Sequence, residues 1–335
     1  MTRRRDDELD DNSRFDRPRR RTQPRTKDRP TYDDAVEGFV ITVDRGRFTV
    51  RLSGESEQRN VTAMKSRPLG RKGVVVGDRV RVVGDVSGAE GSLARIVEVL
   101  PRDTVLRRTA DDSDPVERIV VANATQLVVV TAVADPEPRP RLIDRCLVAA
   151  YDAGLDPLLC LTKVDLADPE GLLSIYRPLG VPYVVAARGG DLASVRQRLR
   201  DQVSVFVGHS GVGKSTLVNA LVPGATRATG HVNEVTGRGR HTSTSALVLE
   251  LPGGGWVVDT PGIRSFGLAH VDPRELIGAF DDLDVLTVDC PRGCTHGEAE
   301  PECALDDAVA DGRVDAERVQ SFRRLLSSRE RAEGD

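Results

Sequence analysis

The sequence predicts a chain of mixed class. A small all-β barrel comes first, an α/β unit on a parallel sheet follows, and a helical C-terminal region holds a metal ion. Three observations predict this. Short β-branched runs separated by Gly and Asp fill residues 36–100. Apolar strand-like runs alternate with helix-like segments from 127 to 222, the pattern of a parallel sheet with crossover helices. Three of the five cysteines crowd with a histidine into residues 290–303. A length of 335 residues allows two or three domains of roughly 100–150 residues each.

Composition narrows the class. Hydrophobic residues are 39% and charged residues 30%, as expected of a soluble globular protein with a charged surface. No apolar run approaches the ~20 residues that span a bilayer, and the first residues have no apolar segment of signal-peptide type. A cytoplasmic protein with no membrane partner is therefore expected. A net charge of −4 argues against a uniformly basic nucleic-acid binder. The low, odd cysteine count fits a metal site in a reducing compartment better than a disulfide framework.

Taken in order, residues 1–35 open with Arg-rich stretches, "RRR" at 3–5 and "RPRRRTQPR" at 17–25. Such an arm cannot bury a core and is expected to be disordered, as a solvated tail or as a basic arm touching RNA phosphates. Residues 36–101 carry "EGFVITVDRGRFTVRL", "RNVTAM", "GVVVGDRVRVVGDV" and "SLARIVEVLP", five strands' worth of sequence that suits an OB-type barrel. The stretch "PRDTVLRRTADDSDPVERIVVAN" (101–123) reads as a polar linker into an α/β domain over 115–271. There "LVVVTAV", "PLLCLTKVD" and "VPYVVAA" read as strands. Helices are expected over 140–153, near 169–179 and near 191–200. "VSVFVGHSGVGKSTLVNALV" is strand, loop and helix, and "SALVLELPGGGWVVDTPG" a hairpin with a Gly-rich turn. Residues 272–335 read as a helix, a Cys/His loop and a charged helix near 315–331.

The chemistry is concentrated in the strand-end loops. Gly208-His209-Ser210-Gly211-Val212-Gly213-Lys214-Ser215 matches a phosphate-binding loop, with an apolar strand before it and a helix after it. Its glycines let backbone N–H groups face phosphates. Lys214 would neutralise the β- and γ-phosphates, Ser215 would ligate Mg²⁺, and Thr216 opens the helix whose N-terminus favours an anion. Asp259 ends a strand in "VVDTPG", where it can hold Mg²⁺ through water, while the Gly262 N–H can sense the γ-phosphate. Thr162-Lys163-Val164-Asp165 closes another strand. Asp165 can accept from guanine N1–H and the exocyclic amine, a donor pair adenine lacks, and the Lys163 stem can lie along the base. In "VVAAR" the Ala187 N–H can reach guanine O6, with Ala186 standing where GTPases carry serine.

The guanine loop therefore precedes the phosphate loop, the reverse of the ordinary order. A circular permutation accounts for this, because a parallel sheet can be cut and rejoined with its loops still at the same strand ends. GTP and GDP are the expected ligands. Ile263 occupies the place of the glutamine that orients water in Ras-like enzymes. The polar segment 230–246 reads as a first switch, with His241 a candidate for positioning water. One of Thr242, Ser243 and Thr244 is a candidate Mg²⁺ ligand, Thr242 foremost. Cys290, Cys294, His296 and Cys303 offer three thiolates and an imidazole, a closed set that suits one structural Zn²⁺. Cys146 and Cys160 fall in predicted helix and strand interiors and read as core.

Together, "TKVD", "GHSGVGKST", "GRGRHTSTS", "DTPGIRSFGL", "VANATQLVVVTAVADPEPRPRLIDRCLVAA" and the Cys/His cluster resemble the RsgA family of small-subunit-dependent GTPases, over residues 36–331. The resemblance implies a GTPase that assists late maturation of the small ribosomal subunit and is stimulated by it. It also implies Mg²⁺ with GTP, and rRNA contacts from the barrel and the zinc domain. A monomer is expected. Three features depart from the family pattern. Thr162 replaces Asn, an exchange expected to loosen its loop; Ala186 replaces serine; and the ligand spacing is x3 and x6 where x4 and x5 are usual.

Overall fold

The computed structural model describes residues 32–53, 59–70, 73–108, 118–223, 246–260, 268 and 271–330. The Arg-rich stretches at 3–5 and 17–25 lie outside these residues, as do His241, Thr242, Ser243, Thr244, Gly262 and Ile263.

Alternation of apolar and polar residues closes the first part of the chain into a barrel. Its strands are β1 (Val36–Asp44), β2 (Arg47–Leu52), β3 (Asn60–Lys65), β4 (Arg79–Gly84) and β5 (Ala94–Val99). They run in the order β1-β2-β3-β5-β4, and β4 returns to pair with β1. Inward residues such as Val40, Val50, Val61, Val80 and Ile96 fill the interior. Closure leaves no free edge within the barrel. The first strand serves two neighbours and must bend to do so. Gly38 permits the close approach, since a Cβ there would lie 2.5 Å from Val50 Cγ1 and 2.8 Å from the Arg51 carbonyl oxygen.

The described residues of 101–123, a stretch expected to be a polar linker, form strands. It contributes β6 (Val105–Arg108) and β7 (Arg118–Ala122), paired antiparallel. Leu106 and Val121 are buried, and the charged residues around them, Arg107, Arg108 and Arg118, make the stretch read as polar in the sequence. Fully buried Asp78 accepts from Arg102 Nε at 2.6 Å and from the Val75 N–H at 2.8 Å. Asn123 donates to the Gly77 carbonyl at 2.8 Å, so this hairpin is fastened to the barrel.

The α/β part is built on β8 (Gln126–Ala132), β9 (Asp156–Thr162), β10 (Tyr183–Ala186), β11 (Val203–Val207), β12 (Leu247–Glu250) and β13 (Trp256–Asp259). Their order is β10-β9-β8-β11-β13-β12. All pairings are parallel except that of β12 with β13, the expected hairpin. Every residue of β8 is buried, as a central strand covered on both faces requires. Helices α1 (Pro140–Asp152) and α2 (Glu170–Tyr176) cover one face; α3 (Ala193–Leu199) and α4 (Lys214–Leu221) cover the other. Strand β12 also pairs with β1 of the barrel, joining both parts into one eleven-stranded sheet.

The C-terminal region packs on α1. Its helices include Pro273–Leu276, Asp281–Asp284, Ala304–Ala310 and Ala316–Glu330. The third is a seven-residue helix directly after Cys303, too short to show periodicity in the sequence. Tyr151, Phe280 and Phe322 stack at centroid distances of 4.9 and 5.3 Å. Buried Asp144 on α1 accepts from Arg324 Nε at 3.2 Å, and Arg145 donates to the Ser328 carbonyl at 2.9 Å. Arg324 also lies over the Tyr176 ring. Burial raises the Asp144 carboxyl above the ordinary carboxylate range, against the opposing pull of Arg324.

Arg324→Ala is expected to lower stability by about 3 kcal/mol, because it strands a buried carboxylate. Asp144→Asn should cost less, since burial already favours the neutral form. The check is the urea midpoint; a parent-like midpoint for Arg324→Ala would show that the pair contributes nothing to holding the C-terminal helix.

Candidate nucleotide site and metal cluster

The loops that carry the chemistry leave the carboxyl ends of the parallel strands. In register, Ala186 pairs with Thr162, Thr162 with Ala132, Val207 with Val129, and Phe206 with Asp259. The guanine loop after β9, the phosphate loop after β11 and Asp259 at the end of β13 therefore meet at one sheet edge. Their order in the chain does not matter to this convergence. Open α/β sheets bind ligands at that edge.

The phosphate loop is shaped by backbone demands. Gly208 has φ 154°, and a Cβ there would stand 2.3 Å from the Val130 carbonyl oxygen, so only glycine fits. Gly213 has φ 89° and caps α4, which begins at Lys214. Between them Val212 is fully buried and anchors the loop, while a Cβ added at Gly211 would come 3.6 Å from Pro136 Cδ. Ser215 and Thr216 are exposed on the first turn of α4. Lys214 Nζ donates to Asp259 Oδ1 at 2.7 Å. The candidate phosphate-binding lysine and the candidate Mg²⁺ carboxylate thus stand side by side. The Thr260 hydroxyl donates to the Phe206 carbonyl at 3.2 Å and pins the chain beyond Asp259 to β11.

His209 Nδ1 lies 2.8 Å from the Ser210 carbonyl oxygen, which fixes the proton on Nδ1; Nε2 is buried without a hydrogen-bond partner. Burial lowers the pKa of this imidazole, so it is neutral near pH 7.

Thr162 corrects an expectation. Rather than loosening its loop, its buried hydroxyl lies 2.6 Å from the Val212 carbonyl oxygen and 3.2 Å from that of Thr131. It ties the guanine loop to the phosphate loop. The two sides of a peptide plane point in opposite directions, so holding the Val212 carbonyl also turns the Gly213 N–H away from Thr162. Lys163 has φ 57° and its amine donates to the Asp135 carbonyl. Val164 is half-buried, Asp165 is exposed at the loop tip, and Ala187 is half-buried beyond buried Ala186. The Asp135–Pro136 segment, whose carbonyl accepts from Lys163, lies in a stretch that carries the family resemblance, but no motif in it marked a contact with the guanine loop.

The second cluster is in the C-terminal region. The donor atoms of Cys290, Cys294, His296 and Cys303 all lie within 4.8 Å of one another. His296 Nδ1 is 3.6, 3.5 and 3.9 Å from the three sulfurs. A tetrahedral Zn²⁺ with Zn–S of ~2.3 Å and Zn–N of ~2.0 Å requires N···S edges of about 3.5 Å, which these distances meet. The Ala304 and His296 N–H groups donate to Cys290 Sγ at 3.3 Å and Cys294 Sγ at 3.4 Å. Burial pushes the Cys294 thiol up to about 11, so a bound cation is what would favour its thiolate. Arg323 reaches the His296 carbonyl at 3.2 Å and pairs with Asp306 at 2.7 Å, bracing the cluster against the last helix. The changed spacing leaves all four ligand atoms together.

A barrel, a sheet wired in permuted order, a phosphate loop facing the loop that carries "TKVD", and a Cys3His cluster together define a circularly permuted GTPase. The RsgA GTPase family model matches residues 99–269. The small ribosomal subunit biogenesis GTPase RsgA of Ectopseudomonas mendocina (strain ymp) is 46% identical over 242 residues, covering 70% of this chain and 69% of the relative. That of Pseudomonas syringae pv. syringae (strain B728a) is 42% identical over 303 residues, covering 87% and 85%. The crystal structure of YjeQ from Thermotoga maritima superposes with a TM-score of 0.65 at 26% identity, over 88% of this chain and 99% of that one. YloQ, a circularly permuted GTPase, shares the fold with a TM-score of 0.65 at 24% identity, over 90% and 98%. The chain belongs to the RsgA GTPase family.

Thr162→Val should leave the Val212 carbonyl buried and unpaired, a loss of about 1–3 kcal/mol, and weaken GDP binding in a fluorescent-nucleotide titration. Thr162→Ser should retain most of the affinity. Equal GDP affinity for the Val variant and the parent would remove the hydroxyl from this role. Metal analysis is expected to find one zinc per chain, and Cys294→Ser or a chelator should unfold the C-terminal region while GTP binding persists. Purified protein devoid of zinc would overturn the assignment of the cluster.

Proposed function

We propose that this chain hydrolyses GTP to GDP and phosphate on the small ribosomal subunit and assists that subunit's late maturation. Family membership and the names of its relatives support the reading. The observation that carries it is the convergence of the guanine loop, the phosphate loop and Asp259 on one sheet edge beside the Lys214–Asp259 pair.

In this reading His209, Ser210, Gly211, Val212 and Gly213 form the backbone cradle that begins at Gly208. Lys214 neutralises the β- and γ-phosphates, and must leave Asp259 when nucleotide enters. Ser215 and Thr242 ligate Mg²⁺ directly and Asp259 does so through water, while the Gly262 N–H senses the γ-phosphate. Asp165, Lys163, Val164 and the Ala187 N–H bind guanine, and Thr162 supports that loop. His241 positions the attacking water, since Ile263 cannot. The working divisions are an arm (1–35), an OB-type barrel (36–101), a GTPase domain (115–271) and a zinc domain (272–335). The barrel and the zinc domain contact rRNA, and Zn²⁺ is structural, bound by four protein ligands with no open position. Among the described residues no helix is long and apolar enough to cross a membrane; the proposed setting is cytoplasmic and the acting form a monomer. Ile263 also favours a second reading, an RNA-binding switch in which nucleotide sets affinity and turnover is incidental.

Multiple-turnover GTP hydrolysis with and without small or large subunits separates these readings. Slow hydrolysis alone and strong acceleration by small subunits is expected. Partner-ordered switches in related systems gain a thousandfold or more, which sets the upper range. His241→Ala should lose most of that acceleration while keeping subunit affinity with a non-hydrolysable analogue. Stimulation of His241→Ala equal to the parent's would assign the water to another group. Asp165→Asn should shift preference toward xanthosine triphosphate at a cost of roughly 2–5 kcal/mol in GTP binding; unaltered GTP affinity would take Asp165 out of the site.

A further inference from the structure

The barrel and the nucleotide sheet meet along two registered features. The first is a row of backbone pairings. Thr42 of β1 pairs with Leu247 of β12, Leu247 with Asp259 of β13, and Asp259 with Phe206 of β11. The point where the barrel joins the sheet thus lies in the same cross-strand row as the candidate Mg²⁺ aspartate, with β12 between them. The Thr42 hydroxyl donates to the Thr49 hydroxyl at 2.7 Å, tying that row to β2 as well.

The second feature is a pair of cross-strand pairs set face to face. In the barrel Phe39 stands opposite Arg51; in the hairpin Glu250 stands opposite Trp256. Arg51 Nη1 donates to Glu250 Oε2 at 2.9 Å, and its guanidinium lies 5.4 Å from the centroid of the Trp256 ring. The Phe39 and Trp256 rings are 5.7 Å apart. Arg51 Nε donates to Asn60 Oδ1 at 2.6 Å, so its planar fork is held from the barrel side too. Trp256 begins the four-residue strand that Asp259 ends. A strand transmits displacement along its length because its backbone is extended and laddered on both sides. A partly exposed ion pair adds little stability by itself. What Arg51 adds is fixed registry between a barrel strand and the strand that aims Asp259.

We infer that Arg51 is a positioning residue for Asp259, acting through Glu250 and Trp256, and that load on the barrel reaches the Lys214–Asp259 pair by this path. The inference rests on the proposed function, in which the barrel engages rRNA. It makes the barrel part of the hydrolytic response rather than only a tether. In the reverse direction, exchange of Lys214 for Mg²⁺ at Asp259 shifts β13 against Arg51, as reciprocity of coupling requires.

Trp256 is the only tryptophan in the chain, so its emission reads the junction directly. The experiment uses the full chain and compares the parent with Arg51→Met, Glu250→Gln, Arg51→Lys and the charge exchange Arg51→Glu with Glu250→Arg. In the parent, emission and acrylamide quenching should differ between complexes with GDP and with a non-hydrolysable GTP analogue. Arg51→Met should abolish that difference. It should also reduce the ratio of small-subunit-stimulated to unstimulated turnover by about fivefold or more, the lower end of ordinary coupling. Arg51→Lys and the charge exchange should recover part of both signals. Glu250→Gln leaves every barrel residue in place and should reproduce the loss, which separates broken coupling from a loosened barrel. The inference is overturned if parent emission does not distinguish the two nucleotides, or if Arg51→Met or Glu250→Gln responds to nucleotide as the parent does. Small subunits that fail to stimulate the parent would refute the proposed function, and the emission comparison would still decide the coupling.

Discussion

Parallel strands all end at the same side of their sheet, and the nucleotide site depends on that constraint. The loops after β9, β10 and β11 and the end of β13 meet because their strands are laddered in register, whatever the order in which the chain visits them. Permutation therefore leaves the site intact and changes only what is attached to it. Here the strand β12 that completes the hairpin is also paired to the barrel, and the chain beyond Asp259 leads into the C-terminal region.

The tight points of the site are backbone approaches rather than side-chain contacts. Gly208 touches the Val130 carbonyl, where a methyl group has no room. The Val212 carbonyl is held by the Thr162 hydroxyl across the boundary between two loops. Lys214 and Asp259 share a hydrogen bond at the same sheet edge. Such mutually satisfied groups keep a charged site ordered before its ligand arrives, because a buried polar group without a partner is costly.

The C-terminal region combines two kinds of fastening. Aromatic packing of Tyr151, Phe280 and Phe322 and the Asp144–Arg324 pair hold its last helix to α1. The Cys3His cluster organises the loop before that helix, and Arg323 links the two through the His296 carbonyl.

Periodicity and motif spacing by themselves determined the barrel's five strands, the alternation of strands and helices, the glycine-rich loop before α4 and the clustering of three cysteines with a histidine. These are local signals: turn glycines, β-branched runs and side chains whose chemistry is set by residue type. The strand pair of 105–108 and 118–122 was hidden because Arg107, Arg108 and Arg118 make the stretch read as polar, and the burial of Leu106 and Val121 depends on neighbours distant in the chain. Thr162 looked like a weakening of its loop until packing placed Val212 against its hydroxyl. The facing pairs Phe39–Arg51 and Glu250–Trp256 lie about two hundred residues apart in the chain and match no motif. Only the tertiary structure brings them together, because pairing of β1 with β12 sets a register that no local sequence pattern encodes.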